Sequence, residues 1–457
     1  MRCCVHPAAV KRLAIRSLLL LAGLWLLATA ATWFGNQPDD SAHGYGEVHD
    51  AVDHNNGGGN SVGSRMWRFL GAALRAQLQP RPPPPPLLLP DSEEDDAAGD
   101  VEGSNNKRRR GAERQSFVYL KVIKSASETI TSMLRRFGLS RHLSFAMPLP
   151  NKIYLGWPNP LRQEYIVLPS GVSHPSVLLD QCVYNRTFLD GLMAKPCVYI
   201  TSLREPFRQF QSLFAYYNMA EISGLGGRPD AFETYLSDLP RYDSEYQSPR
   251  RAAKRYCVPD NYSLTKNTMS RILGYVEGQD ADKFVASIIA DFDLILITDY
   301  FMHSLVLLKR LMNWSFKDIL FVSRNIGRYP RMMAAHRPDL MRVHQAWSPV
   351  DYKLYQAANA SFWRRVAQEG PSFRTELRVF RSLSKFIRRR CRALERGDAA
   401  AASGNDFTFL ANRWSPAFSI GPMDCRRLRD AGINELQRQS RLAYTGDKAA
   451  LTGYPYC

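Results

Sequence analysis

Hydrophobic and polar positions divide this chain into three textures. Ser17 to Phe34 reads SLLLLAGLWLLATAATWF, eighteen residues without a charge. As a helix rising ~1.5 Å per residue it reaches ~27 Å, about the thickness of a bilayer core. Residues 35–114 follow, with GGGN, five prolines at Pro82–Pro86, the acidic run DSEEDD at 91–96 and the basic run KRRR at 107–110. Such a segment lacks the apolar surface to fold alone and reads as a disordered stem, its prolines a semi-rigid spacer. From Phe117 onward, short apolar runs alternate with stretches of helical period. FVYLKVI (117–123) reads as a strand and KSASE as a turn. Ile130, Met133, Leu134 and Phe137 then share one helix face, with Gly138 as the stop. CVYITSL, the turn Arg204-Glu205 and a helix opened by Pro206 repeat the pattern, with Phe207, Phe210 and Phe214 as the buried stripe. FDLILIT (292–298) before FMHSLVLLKRLM (301–312) is a third copy, and DILFVS (318–323) a further strand. Continuously apolar strands, each followed by a helix, predict an α/β domain with a central parallel sheet covered on both faces, over 115–396. Arg374 to Arg396 reads as a long basic helix, and 397–457 as a linker and C-terminal tail.

Composition and charge narrow the setting. The 457 residues are 45% hydrophobic and 23% charged, which excludes a wholly disordered or collagen-like chain. Arg2, Lys11, Arg12 and Arg16 precede the apolar run, and Asp39, Asp40 and Glu47 follow it. The positive-inside rule makes 1–16 a cytosolic tail, 17–34 a transmembrane signal-anchor and the remainder luminal, a single-pass type II protein. A cleaved signal peptide is the alternative. A luminal position excludes nucleic acid as the main partner. The net charge of +17 resides beyond residue 114, because the first 35 residues (+4) and the stem (−4) cancel. The folded part therefore faces an anionic partner. Cys182, Cys197, Cys257, Cys391, Cys425 and Cys457 predict up to three luminal disulfides, and N-x-S/T sequons place candidate glycans on Asn185, Asn261, Asn313 and Asn359. No CxxC motif or Cys/His cluster predicts a metal site.

Candidate chemistry sits in two loops. A loop between a strand and a helix N-terminus binds anions through free N–H groups and the helix dipole. Lys124, Ser125, Ala126, Ser127, Glu128 and Thr129 occupy such a junction, offering an ammonium and three hydroxyls. The GxxxxGK[ST] spacing is absent, which disfavours magnesium-dependent nucleotide hydrolysis. Arg204 ends the second strand and Ser212 lies two helical turns later, so both reach one phosphate, the Arg as a planar fork. Two strand-end phosphate loops in one sheet predict a nucleotide with two separate phosphate groups.

These loops carry a resemblance. LKVIKSASETI resembles the 5′-phosphosulfate loop of sulfotransferases, and YITSLREPFRQFQSLFAYY resembles their 3′-phosphate loop, RxPxxxxxSxF. FDLILITDYFMHSLVLLKRLMNW (292–314), WSPVDYKLYQAANASFWRRV (347–366) and, more loosely, LTKNTMSRILGY (264–275) are similar to further segments of the galactose-3-O-sulfotransferases, a family that includes galactosylceramide sulfotransferase. The resemblance covers about 117–370 in order. It implies the P-loop-like sulfotransferase fold and a Golgi type II enzyme. PAPS would be its donor, with no metal required, and its acceptor a galactose hydroxyl of a glycolipid or glycoprotein glycan. Lys124 with residues 125–129 would hold the 5′ side, and Arg204 and Ser212 the 3′-phosphate.

The chain departs from the family pattern in ways that bear on the base. Ile123 stands where the family has a histidine before its lysine, and Asp180-Gln181 where it has a His-His pair. Transfer to a hydroxyl needs a base. His174 and Asp180 are the candidates for it, with Glu128 behind them and Lys124 as the catalytic cation. The substituted histidines leave two alternative readings: a non-catalytic glycan- or nucleotide-binding relative, and a sulfotransferase for acidic polysaccharide.

Overall fold

The computed structural model describes residues 111–248, 258, 262–322, 337–396, 406–430 and 432–446. The stem up to residue 110 and the apolar run Ser17–Phe34 lie outside them, as do Asn261, Cys257 and Cys457. Among the described residues no helix is long and apolar enough to cross a membrane.

The sheet has six strands: β1 (Phe117–Leu120), β2 (Phe145–Pro148), β3 (Ile166–Val167), β4 (Val177–Leu178), β5 (Val198–Leu203) and β6 (Leu294–Ile297). Their order is β3-β2-β4-β1-β5-β6, parallel throughout except for β3. Phe117 pairs with Val198 and Leu120 with Thr201, while Leu203 pairs with Ile297, so β1, β5 and β6 end on the same edge. Every residue of β1, β5 and β6 is buried, as expected for strands covered on both faces.

From β1 the chain enters α1 (Ser127–Ser140) and returns to β2 on one side; from β5 it enters α2 (Pro206–Tyr216) and reaches β6 on the other. The connections diverge at the adjacent pair β1/β5. Right-handed crossovers then send α1 and α2 to opposite faces and open a crevice at the carboxyl ends of these two strands. α3 (Phe301–Met312) leads to Trp314, which stacks on Phe137 of α1 with ring centroids 3.8 Å apart. α4 (Pro338–Trp347) and α5 (Pro349–Gln368) pack with α2 and β6. α6 (Pro371–Glu395) runs along α3, held by a buried knot in which Glu376 meets Lys309 at 2.8 Å and Arg310 at 2.7 Å.

The chain beyond 406 belongs to the same body. A two-stranded ribbon, β7 (Phe407–Phe409) with β8 (Phe418–Ile420), precedes α7 (Pro422–Arg429) and α8 (Ile433–Ala443). The Ser440 hydroxyl donates to Pro148 O at 2.6 Å, and a Cys391–Cys425 disulfide ties α7 to α6. Cys182 and Cys197 are free, which lowers the expected ceiling of three disulfides to two. At the other end, Arg114 N donates to Met312 O, and Glu113 pairs with Arg141 at 2.8 Å.

Two local expectations fail for identifiable reasons. The apolar run 318–322 is not a strand. Asp318 turns the chain by accepting from Ser315 N and Oγ, and Arg136 takes the carbonyls of Asp318 and Leu320, so Ile319 and Leu320 are buried without a ladder. Gly138 does not stop α1, which continues to Ser140. Its role is close approach: a Cβ there would lie 2.5 Å from Phe145 Cζ. Helix propensity favours Ala over Gly by ~1 kcal/mol, but overpacking a buried ring costs ~1–3 kcal/mol. Gly138→Ala should therefore lower the thermal midpoint, and Phe145→Leu in the same chain should recover part of the loss. A rise in the midpoint of the single variant would refute the steric account.

Candidate functional site

The first loop, Lys121–Ala126, leaves β1 in a conformation that ordinary residues avoid. Lys124 and Ala126 have φ of 61° and 58°, left-handed without being glycine. Each such residue costs about 1–2 kcal/mol, so surrounding contacts must impose it. They are visible. The Ser125 hydroxyl, fully buried, donates to Val122 O at 2.7 Å and meets Ser202 Oγ of β5 at 2.8 Å. Ser202 Oγ bonds Ser125 O at 3.1 Å and Tyr119 Oη at 2.6 Å. Burial pushes the Tyr119 phenol well above its usual range, so it remains a hydroxyl. From α2, Gln209 Nε2 donates to Ile123 O at 3.2 Å, and from the second loop Arg204 Nη1 donates to Lys124 O at 3.3 Å. Loop carbonyls are thus tied inward to β5 and α2.

The helices behind the loops open differently. No side chain caps α1, whose N-cap is the left-handed Ala126. A fourteen-residue helix with an uncapped, strand-end N-terminus is suited to an anion. α2 caps itself: Glu205 accepts from Phe207 N at 3.0 Å and Arg208 N at 2.8 Å, and burial raises its pKa. An anion at the second loop must therefore be held by side chains rather than by the amides of α2.

Lys124 joins the two loops. Its carbonyl takes Arg204, and its ammonium lies 3.5 Å from the ring centroid of Tyr216, one turn beyond the buried Ser212 on α2. The structure thus brings Lys124, Arg204 and the Ser212 helix together. Tyr216 was not singled out from sequence, although its i+4 spacing from Ser212 was readable. Ser125 faces inward and shapes the loop, Ala126 is exposed at the turn, and Ser127 and Thr129 are buried in the first turn of α1. Glu128 is paired with Lys121 at 2.6 Å.

The two candidate bases lie at opposite ends of the sheet. His174 precedes β4, at the edge where Phe117 N bonds Ser176 O and Ala194 N bonds Pro175 O; its Nδ1 contacts Leu192 O at 3.2 Å. That edge carries the strand N-termini, away from both loops. Asp180 follows β4, beside β1 on the loop edge, where its Oδ1 accepts from Arg135 of α1 at 2.9 Å. His142, after α1, is also at the far edge. His303 is enclosed by Tyr300, Trp363 and Phe373, and burial lowers its pKa to about 4. His344 stacks on Phe210 with centroids 4.6 Å apart, and burial lowers its pKa to about 3. Among the described residues, the side-chain hydrogen bonds and ring contacts of the histidines go to residues outside Lys121–Thr129 and Arg204–Glu205.

Other candidates have local duties. Asn185 caps the helix Arg186–Leu192 by accepting from Phe188 N at 3.1 Å. Asn313 sits left-handed at the end of α3 and donates to Gly111 O, and Asn359 lies within α5. Among the described residues no group of three His, Cys, Asp or Glu side chains could hold a metal ion.

Known proteins resemble this chain over the same region. Residues 88–408 match the pattern of the galactose-3-O-sulfotransferase family. Galactose-3-O-sulfotransferase 3 of Bos taurus is 30% identical over 289 residues, covering 61% of this chain and 64% of the relative, and the Homo sapiens protein of that name gives the same figures. Galactosylceramide sulfotransferase of Bos taurus is 30% identical over 317 residues, 66% of this chain and 69% of the relative. The chain thus spans about 64% of the length of the galactose-3-O-sulfotransferase 3 relatives it matches. With the family pattern extending over well more than half of its residues, the chain belongs to the galactose-3-O-sulfotransferase family.

Proposed function

We propose that this protein is a sulfotransferase that moves a sulfuryl group from PAPS to a galactose hydroxyl, the 3-position, of a glycolipid or glycoprotein glycan. The observation that carries the reading is the junction of two anion loops at the β1/β5 switch point, with Arg204 bonded to the carbonyl of Lys124. The uncapped N-terminus of α1 and the Lys124 ammonium suit the 5′-phosphosulfate end. Arg204 and Ser212, beside a helix already capped by Glu205, suit the 3′-phosphate. The donor supplies a sulfuryl group on a phosphate leaving group. Lys124 would neutralise charge developing on the bridging and sulfuryl oxygens, as preorganised cations do. Asp180, the base candidate on the loop edge, would accept the proton of the attacking hydroxyl. We further propose that 17–34 anchors the protein in the Golgi membrane, that 35–110 is a stem, residues 111–114 being held on the folded domain through Arg114 and Glu113, and that the catalytic domain is luminal.

Radiolabelled PAPS offered to the full chain with a panel of galactosides tests the activity. Donor binding with no transfer to any of them would favour the non-catalytic reading, which the placement of the described histidines supports.

Four variants probe the parts. Arg204→Ala should weaken binding of the desulfo-donor ~10- to 150-fold by calorimetry, because a charge-assisted hydrogen bond is worth ~1.5–3 kcal/mol. Unchanged affinity in a folded protein would remove the second loop from the site. Lys124→Ala should cut turnover ~10²-fold, well beyond its effect on donor affinity. Ser202→Ala deletes no group of the anion site but releases the left-handed loop; donor affinity should fall although nothing that touches the donor has changed. Asp180→Asn should lower kcat while sparing donor binding. If kcat is unaltered and only the melting temperature drops, Asp180 is a structural partner of Arg135.

A further inference from the structure

α6 carries a second cationic feature, remote in sequence from the anion loops. Arg374, Arg378, Arg381, Lys385, Arg389, Arg392 and Arg396 are all exposed, each three or four residues after the one before. Positions so spaced form one stripe along a helix, here ~33 Å long at ~1.5 Å per residue. The opposite face, including Phe373, Leu377, Phe380, Leu383 and Ile387, is buried. None of the seven is ion-paired with a described residue. The sequence from 371 to 396 holds two acids against these seven cations, Glu376, which is buried against Lys309 and Arg310, and Glu395. The Cys391–Cys425 disulfide adds the exposed Arg426 and Arg427 of α7 near the same end. A row of like charges repels itself, and the helix that carries it is held by the packing of its opposite face.

We infer that this stripe is a docking site for a linear polyanionic glycan, a polysaccharide bearing closely spaced sulfates or carboxylates. Charge complementarity selects a polyanion. The shape is a single narrow row, which fits a chain laid along the helix better than a broad surface. Six of the seven cations are Arg, whose planar fork grips sulfate and carboxylate with two hydrogen bonds. Membrane binding by an amphipathic helix requires a free apolar face, and that of α6 is in the core. Phe386, exposed by 43%, is the remaining apolar group on the outer side, and it packs on Phe407 with centroids 4.4 Å apart. Family membership favours a carbohydrate over nucleic acid as the anion. The inference goes beyond the transfer reaction and does not rest on it, since no loop residue takes part.

The test compares two charge-reversal variants of the full chain on immobilised heparin-derived oligosaccharides. One reverses four stripe positions, Arg378→Glu, Arg381→Glu, Lys385→Glu and Arg389→Glu. The other makes the same change of net charge at exposed positions elsewhere, Arg162→Glu, Arg241→Glu, Lys283→Glu and Arg364→Glu. Reasoning as for other polyanions, the stripe variant should bind about 100-fold more weakly, with a log–log salt dependence shallower by about three. The control variant should change less than about fivefold, because scattered charges release few counterions together. Equal losses in both would reduce the effect to bulk charge and overturn the site. Tighter, stripe-dependent binding to anionic lipid vesicles or to duplex DNA than to heparin would overturn the glycan assignment. Should the Glu variant misfold by circular dichroism, the Gln variant at the same four positions takes its place, with the same ordering required. Desulfo-donor affinity is a separate readout, and its loss or retention leaves this result unaffected.

Discussion

The site depends on a small knot of buried hydroxyls between two adjacent strands. Ser202 of β5 bonds both Tyr119 of β1 and Ser125 of the loop that follows β1, and all three are fully buried. Each would be costly if left unpaired, so the three groups constrain one another's positions. Their combined demand holds Lys124 and Ala126 in left-handed backbone without glycine. The consequence is chemical. Loop carbonyls turn toward β5 and α2, the N-terminus of α1 is left without a cap, and the Lys124 ammonium comes to lie over Tyr216. A loop released from this knot would retain every residue of the candidate site and lose their arrangement.

The knot acts at the one place in the sheet where connections diverge. β1 sends the chain one way and β5 the other, so their loops meet without a helix between them. The two loops divide the work by different means. The first offers backbone amides and a cation. The second, with its helix end filled by Glu205, offers side chains only. The donor proposed above, with its dissimilar anionic ends, would match that asymmetry. The same sheet explains why the candidate bases differ in standing: His174 precedes a parallel strand and Asp180 follows it, and in a parallel sheet those positions are at opposite edges.

Around this centre the basic character is unevenly deployed. Arg135, Arg136, Lys309 and Arg310 are consumed by structural bonds to Asp180, to carbonyls of 318–320 and to Glu376. Those of the α6 stripe are exposed in a line. Net charge by itself does not distinguish the two groups, and their consequences are opposite: one set stabilises the packing of helices, the other leaves a field in solvent.

Much of this was readable from sequence because it is local. Apolar runs such as VYITSL and LILI, and helix faces such as Ile130-Met133-Leu134-Phe137, are periodic over one element, and β1, β5, β6, α1, α2 and α3 follow them closely. The two strand-to-helix loops were legible for the same reason, since a strand end, a turn and a helix start are neighbours in the chain. The strands β2, β3 and β4 were not, being two to four residues long and defined by partners far away. DILFVS has a strand's composition, yet Asp318 and Arg136 capture its backbone, and that capture comes from another helix. The C-terminal region looked like a tail because its apolar residues are scattered; its burial depends on α1, β2 and the Cys391–Cys425 bond. Sequence alone determined which residue types stand at strand ends and along helix faces, because periodicity and turn chemistry act within a few residues. Tertiary structure decided which of them meet, that Tyr216 joins Lys124 and that His174 does not, because strand order and sheet edge are set by long-range packing.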